Sequence, residues 1–359
     1  MKKGVNKIIA EFERAQQRKA NARYYNVNSI FGNDWAMFFV IIGGRMTGKS
    51  YSITDFLCRR KQKLGRLCKN YWLRISESST KVLLQNKANK LVDPDLVRKY
   101  DLELSTRGMD VYNHLEKGEK NPDVFMSVMP LSQFGKLKGQ AFYDKDFEGE
   151  INIVLDEFQL EKGEKRTSFN ILYNFIGMIE NIARTTKQKI RIILIGNTLE
   201  EASTILKAFD FLPEKFGRFY LKSKRCVIDN LEPTEEYLKD RKGSAADILG
   251  GRGMSNYTNM LTKDVSMLYK GPLKTPTAVI RFGKGPNEWF AVWDNCVIRP
   301  YKGEKVREEY HIAMRPYLGI NFLKEQQKMV IEMYDIKHWK FVNLIAQAYF
   351  QDALREIRK

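Results

Sequence analysis

Residues Gly43-Gly44-Arg45-Met46-Thr47-Gly48-Lys49-Ser50 spell G-x-x-x-x-G-K-S, and the apolar run Met37-Phe38-Phe39-Val40-Ile41-Ile42 leads straight into them. No other feature of the chain restricts its fold so tightly. A buried strand must deliver the backbone into a tight turn, and a helix must take over from it. Gly43 and Gly48 let the backbone curl so that its N–H groups point inward at phosphate oxygens. Lys49 is placed to reach the β- and γ-phosphates, and the Ser50 hydroxyl to meet Mg²⁺. Beyond them Ile53, Phe56 and Leu57 recur at helical spacing, which predicts a helix from Tyr51 to Arg60. A phosphate in the loop then lies at a helix N-terminus, where the dipole favours an anion. The candidate nucleotide-binding residues are therefore Gly43, Gly44, Arg45, Met46, Thr47, Gly48, Lys49, Ser50 and Tyr51. A chance match in a glycine-rich turn would leave the flanking strand and helix unexplained.

A second signal completes the first. Ile151-Asn152-Ile153-Val154-Leu155 reads as a buried parallel strand, and it ends in Asp156-Glu157. Two carboxylates at the C-terminal end of such a strand belong beside the phosphates, with Asp156 toward Mg²⁺ and Glu157 polarising the attacking water as general base. Acidic pairs also occur in ordinary turns, so the assignment leans on the phosphate loop. A further strand, Lys189 to Ile195, runs into Gly196-Asn197-Thr198. The Asn197 amide at its tip can orient the lytic water and sense the γ-phosphate; the plain alternative is a turn. Strands and helices alternate throughout, which implies a parallel sheet sandwiched by helices.

The rest of the chain predicts two domains in 359 residues. Residues 1–232 form the phosphate-loop domain, with 1–34 as a helical arm that includes an amphipathic helix over Val5 to Ala22. The glycine-rich stretch around Gly250-Gly251-Arg252-Gly253 makes 233–264 a linker, and 265–359 a smaller domain. In the first domain, strands are expected at Asn70 to Ile75 and Val124 to Met129, and helices at Ser168 to Ala183 and Pro233 to Lys242. Ser76 to Lys120 reads as helical with polar interruptions, and Phe219 to Ile228 as a single closing strand. Thr277 to Phe282, Trp289 to Trp293 and Cys296 to Tyr301 read as a three-stranded meander, followed by a helical tail from Glu325.

Lys and Arg outnumber Asp and Glu by 61 to 43, a net charge of +18 that attracts polyanions and above all nucleic acid. The four cysteines, Cys58, Cys68, Cys226 and Cys296, form no C-x-x-C pair, which argues against a zinc site or a disulfide framework. Glu11, Glu13 and Arg14 interrupt any signal-peptide core, and no apolar run reaches membrane-spanning length, so a cytosolic protein is expected.

These features in order resemble the DNA-packaging ATPases (encapsidation proteins) of small tailed phages with protein-primed linear genomes, relatives of the large terminases. The marks are Ile42 to Ser50 with arginine third in the loop, Tyr71-Trp72-Leu73-Arg74, Met129-Pro130-Leu131-Ser132, Val154-Leu155-Asp156-Glu157-Phe158 and Ile195-Gly196-Asn197-Thr198. The resemblance covers most of the chain and is strongest over 38–198. It implies an α/β P-loop NTPase of the additional-strand (ASCE, RecA/FtsK-like) kind, plus a C-terminal α+β ribonuclease-H-like domain. It also implies ATP and Mg²⁺, double-stranded DNA as cargo, and a homomeric ring, pentameric in known examples. That ring docks on the portal with its RNA or protein collar, in the host cytoplasm and transiently at the portal vertex of a prohead. By position, Arg184 resembles the family's arginine finger and Lys138 a second cation acting in trans. The family's second arginine close after the finger is missing here, although Lys187 or Lys189 stands nearby. Large terminases cut DNA with three or more carboxylates. The strand Thr277 to Phe282 carries no acid, so a domain without nuclease activity is expected, its Lys270, Lys274, Arg281, Lys284 and Arg299 meeting phosphates or portal components.

Other P-loop readings compete. A GTPase needs N-K-x-D, and the nearest run, Asn86-Lys87-Ala88-Asn89, ends in Asn and follows no expected strand. A small-molecule kinase needs an arginine-dense lid that is not evident. A helicase-like ATPase and a terminase with nuclease activity are the nearer alternatives.

Overall fold

In the computed structural model, which describes residues 24–137, 146–158, 167, 169–183, 188–197, 204–249, 265–285, 288–318 and 320–358, two units are distinct. The first comprises Met1–Ile205 and Lys215–Thr262, the second Leu206–Glu214 and Lys263–Lys359. The Val5 to Ala22 arm and the Gly250 to Gly253 stretch lie outside the described residues.

The first unit is built on strands β1 (Phe38–Ile42), β2 (Cys68–Arg74), β3 (Leu104–Arg107), β4 (Asp110–Asn113), β5 (Val124–Pro130), β6 (Glu150–Asp156), β7 (Lys189–Gly196), β8 (Gly217–Leu221) and β9 (Cys226–Asn230). They form one sheet in the order β3-β4-β5-β2-β6-β7-β1-β9-β8. From β5 through β9 all pairings are parallel, and the outer strands β3, β4 and β8 pair antiparallel. The central strands are buried almost end to end, as parallel strands covered on both faces must be. That is why the stretches of these strands nearest their C-terminal ends are continuous apolar runs. The strand β7 lies between β1 and β6, which is the additional-strand arrangement. Its register aligns Gly196 with Ile42 and Ile195 with Asp156, so three strand ends meet at one edge.

The main helices among the described residues are α1 (Lys49–Leu64), α2 (Glu77–Ala88), α3 (Pro94–Lys99), α4 (Ile171–Ile182) and α5 (Glu235–Arg241). Side chains of Ser76, Asn170 and Thr234 accept backbone N–H bonds at the starts of α2, α4 and α5, the ordinary signal for a helix to begin. Ile53, Phe56 and Leu57 of α1 pack with Phe39, Ile41, Trp72, Val154 and Ile193 of the sheet in one core. A polar ladder crosses that sheet at the far ends of the strands. Asn70, Asn152 and Arg191 stand in register on β2, β6 and β7. Arg191 donates to Asn152 Oδ1 (3.2 Å) and Asn152 to Asn70 Oδ1 (3.0 Å). Glu150 takes Arg191 (2.9 Å) and both forks of Arg60 on α1 (2.9 and 2.7 Å), tying the end of α1 to the start of β6.

Two expectations fail here. Ser76 to Lys120 is not helical throughout: after α2 and α3 the chain makes the β3–β4 hairpin, closed by a two-residue turn at Gly108-Met109. Leu104, Val111 and Tyr112 are its buried residues, too few and too closely set among polar neighbours to show a strand period in the sequence. Phe219 to Ile228 is not one strand but the facing halves of β8 and β9. The turn Lys222–Arg225 separates them, with Arg225 at φ 47°.

The second unit contains β10 (Ala278–Arg281), β11 (Trp289–Val292), β12 (Val297–Pro300), β13 (His311–Ala313) and β14 (Lys340–Phe341), in the order β13-β10-β11-β12-β14. The expected meander is β10-β11-β12. Strands β13 and β14 pair parallel with β10 and β12; at three and two residues they are too short to show a period in the sequence. The expected helical tail is α6 (Lys324–Asp335) and α7 (Leu344–Ile357), split by β14. Phe350 on α7 sits at the centre of this core, edge-on to Phe282 and Phe290. The inserted segment is held within the same unit: Lys207 pairs with Asp352, and Tyr349 donates to the Lys207 carbonyl (3.1 Å).

Candidate active site

The chain leaves β1 at Ile42 and enters the loop, where Met46 (φ 62°) and Gly48 (φ 83°) take left-handed backbone. Glycine is needed at 48 on two counts, since a side chain there would also meet Tyr24 at 3.0 Å. The loop is propped from outside. Tyr25 N–H donates to the Thr47 carbonyl and Val27 N–H to Ser52 Oγ, each at 2.9 Å. The Tyr25 hydroxyl donates to Asp229 (2.8 Å), which Arg218 grips with two N–H groups (2.6 and 2.8 Å). Burial, and then Asp229, raise the proton affinity of that hydroxyl, so it stays a donor.

Lys49 is buried, and its ammonium donates to the carbonyls of Gly43 (2.8 Å) and Gly44 (2.6 Å). Burial pushes Lys49 down to about 8; Asp156 opposes the shift and Arg45 adds to it. Thr47 Oγ1 donates to the Gly44 carbonyl (2.9 Å). Across the cleft, burial pushes Asp156 up to about 6, opposed by Arg74 and aided by Glu157. Arg74, at the end of β2, binds Asp156 Oδ2 through Nη2 (2.9 Å) and Glu157 through Nη1. Glu157 has φ 55°, an uncommon conformation for a carboxylate residue, and its side chain stays half-exposed beside the buried Asp156. On β7, a side chain at Gly196 would come within 2.6 Å of the Phe158 ring, so glycine lets that buried ring pack against the strand end.

A cleft of about 300 Å³ joins these groups, lined by Arg45 to Tyr51, Arg74, Asp156, Glu157 and Ile195 to Asn197. The structure thus brings together the candidate loop residues, both carboxylates and the strand-tip amide, with Gly43 and Gly44 engaging Lys49 at the base. Lys138 and Arg184 lie outside the described residues. Sequence reasoning noticed Arg74 as part of a strand and of one mark of the resemblance, and gave it no role. A basic residue at a strand end has no diagnostic spacing; the available signal was that its strand neighbours the one ending in Asp156-Glu157. Among the described residues no group of three or more His, Cys, Asp and Glu is arranged to hold a metal ion, and no helix is long and apolar enough to cross a membrane.

The sequence matches no protein-family model and no curated protein. Solved structures do match. The bacteriophage Phi-29 viral genome packaging motor assembly aligns over 94% of this chain and 100% of that chain, at 17% identity and a TM-score of 0.64. The Phi-28 gp11 DNA packaging motor aligns over 94% of this chain and 98% of that one, at 14% identity and a TM-score of 0.58. At such identities the likeness establishes a shared fold.

Proposed function

We propose that this chain is an ATPase that drives viral double-stranded DNA into a prohead, one subunit of a homomeric ring docked on the portal. One observation carries the reading: Lys49, Ser50, Asp156, Glu157 and Asn197 converge on a single cleft, in a fold shared nearly end to end with the phi29 genome packaging motor. A triphosphate suits the cradle, because Lys49 offers the cation and the loop amides at the start of α1 offer dipoles. The Ser50 hydroxyl and Asp156 carboxylate are hard oxygen donors lining the same cleft, a donor set that suits Mg²⁺. Mg²⁺ held by those two side chains would supply positive charge against the triphosphate.

Hydrolysis then divides among this chain's residues. Asn197 orients a water against the γ-phosphorus, and Glu157 accepts its proton as the new P–O bond forms. The bond to the bridging β–γ oxygen breaks, leaving ADP and inorganic phosphate. Arg74 balances the charge of the two adjacent carboxylates. Arg184 and Lys138 reach a neighbour's site in trans. The ring is a pentamer, engages the prohead RNA or collar, and works at the portal vertex in the host cytoplasm. Residues 1–232 form the ATPase domain, 233–264 the linker and 265–359 a DNA- and portal-binding domain. That last domain is ribonuclease-H-like and lacks nuclease activity. In support, β12-β11-β10-β13 give a sheet order of 3-2-1-4 with the fourth strand parallel to the first.

The test is ATP hydrolysis with and without duplex DNA and empty proheads. Stimulation by both is expected. Glu157→Gln should keep ATP affinity and lose about 10²–10⁴-fold in turnover. DNA-stimulated hydrolysis that persists in this variant would remove Glu157 from the base role.

A further inference from the structure

The phosphate loop is contacted by α5, which follows the β8–β9 hairpin and precedes the crossing of the chain into the second unit. The contact is specific. The Tyr237 hydroxyl donates to the carbonyl of Arg45 at 2.7 Å, and the Tyr237 ring is 3% exposed. One turn further along α5, Arg241 lies 5.6 Å from the centre of that ring and also touches the Met46 sulfur. Arg45 and Met46 are the loop's middle residues, and both line the cleft on their other side. A loop that presents its N–H groups inward turns carbonyls outward. Tyr237 takes up one of those carbonyls, at the position where the backbone enters the left-handed turn of Met46.

We propose that Tyr237 is a positioning residue: it fixes the Arg45–Met46 peptide for phosphate binding and carries the state of the loop to α5, hence to the start of the chain's passage to the second unit. This rests on the reading of the cleft as an ATP site. A rigid hydroxyl-to-carbonyl bond is suited to the task because it couples the loop's backbone, not a mobile side chain, to a helix capped one turn earlier by Thr234. A second route exists for comparison, since Leu231 N–H donates to the Ile42 carbonyl (2.8 Å) just before the loop.

Tyr237→Phe keeps the ring and its packing and deletes only the hydrogen bond. In the wild-type chain, amide hydrogen exchange should slow on adding ATP both in the loop, 43–50, and in α5, 235–241. In Tyr237→Phe, slowing should remain in the loop and be lost in α5, and KM for ATP should rise by about 2- to 10-fold, the worth of one neutral hydrogen bond. The effect on KM should exceed any effect on the unstimulated kcat. A variant that still shows wild-type slowing in α5 would overturn the proposal, and would route the signal through Leu231. A change confined to kcat, or a loss of folding stability with α5 exchange as in the wild type, would overturn it too. If ATP fails to slow the loop itself in the wild-type chain, the nucleotide reading fails instead.

Discussion

Lys49 and Asp156 face the same cleft with their proton affinities displaced toward one another. Burial leaves Lys49 titrating at about 8 and Asp156 at about 6. A lysine so lowered is cationic below that pH and neutral above it. An aspartate so raised is anionic only above its own value. Phosphate binding needs the cation and metal binding needs the anion, so both are in their working form only between about 6 and 8. The profile of kcat/KM for ATP, which reports groups of the free enzyme, should be a bell with flanks near those two values. A plateau running unbroken well past either flank would contradict it. The identity of these residues was readable from spacing alone. Part of their environment was not: Arg74's grip on both carboxylates depends on strand order, which no local pattern encodes.

Among elements, α1 is the piece that must hold its place, since it starts in the phosphate loop and ends against the far side of the sheet. Glu150 fixes that far end between Arg60 and Arg191. Glu150→Ala should cost about 3–5 kcal/mol in urea or thermal unfolding, because Arg191, buried among strands, is left with an uncompensated charge. Glu150→Gln should cost less, as its amide oxygen still accepts one bond. The strands that flank the site were legible because burial on both faces makes each an uninterrupted apolar run. The margin of the sheet was not. In β3, β4 and β8 few residues are fully buried, runs shrink to four or five residues, and turn signals at Gly108-Met109 and Lys222–Arg225 compete with helical or extended readings. The caps of α2, α4 and α5 were written in the sequence as Ser76, Asn170 and Thr234, yet each is also a residue type common in loops.

At the scale of the whole molecule, a net charge of +18 favours a grip on phosphates rather than bases. Duplex binding should therefore be similar for unrelated sequences and fall with salt along a steep log–log line. With roughly 6–10 phosphate contacts the loss is about 10³–10⁵-fold between 50 and 200 mM. A shallow line, or strong preference for one duplex over another, would argue against a translocase. The division of the chain adds a constraint of a different kind. It enters the second unit at Leu206, returns at Lys215, and crosses again at Lys263. Severing the polypeptide between 233 and 264 consequently does not yield two self-sufficient halves: the amino-terminal fragment keeps Lys207 but forfeits Asp352 and Tyr349, its anchors. A chimaera joined at that seam would set Lys207 against a foreign partner on α7.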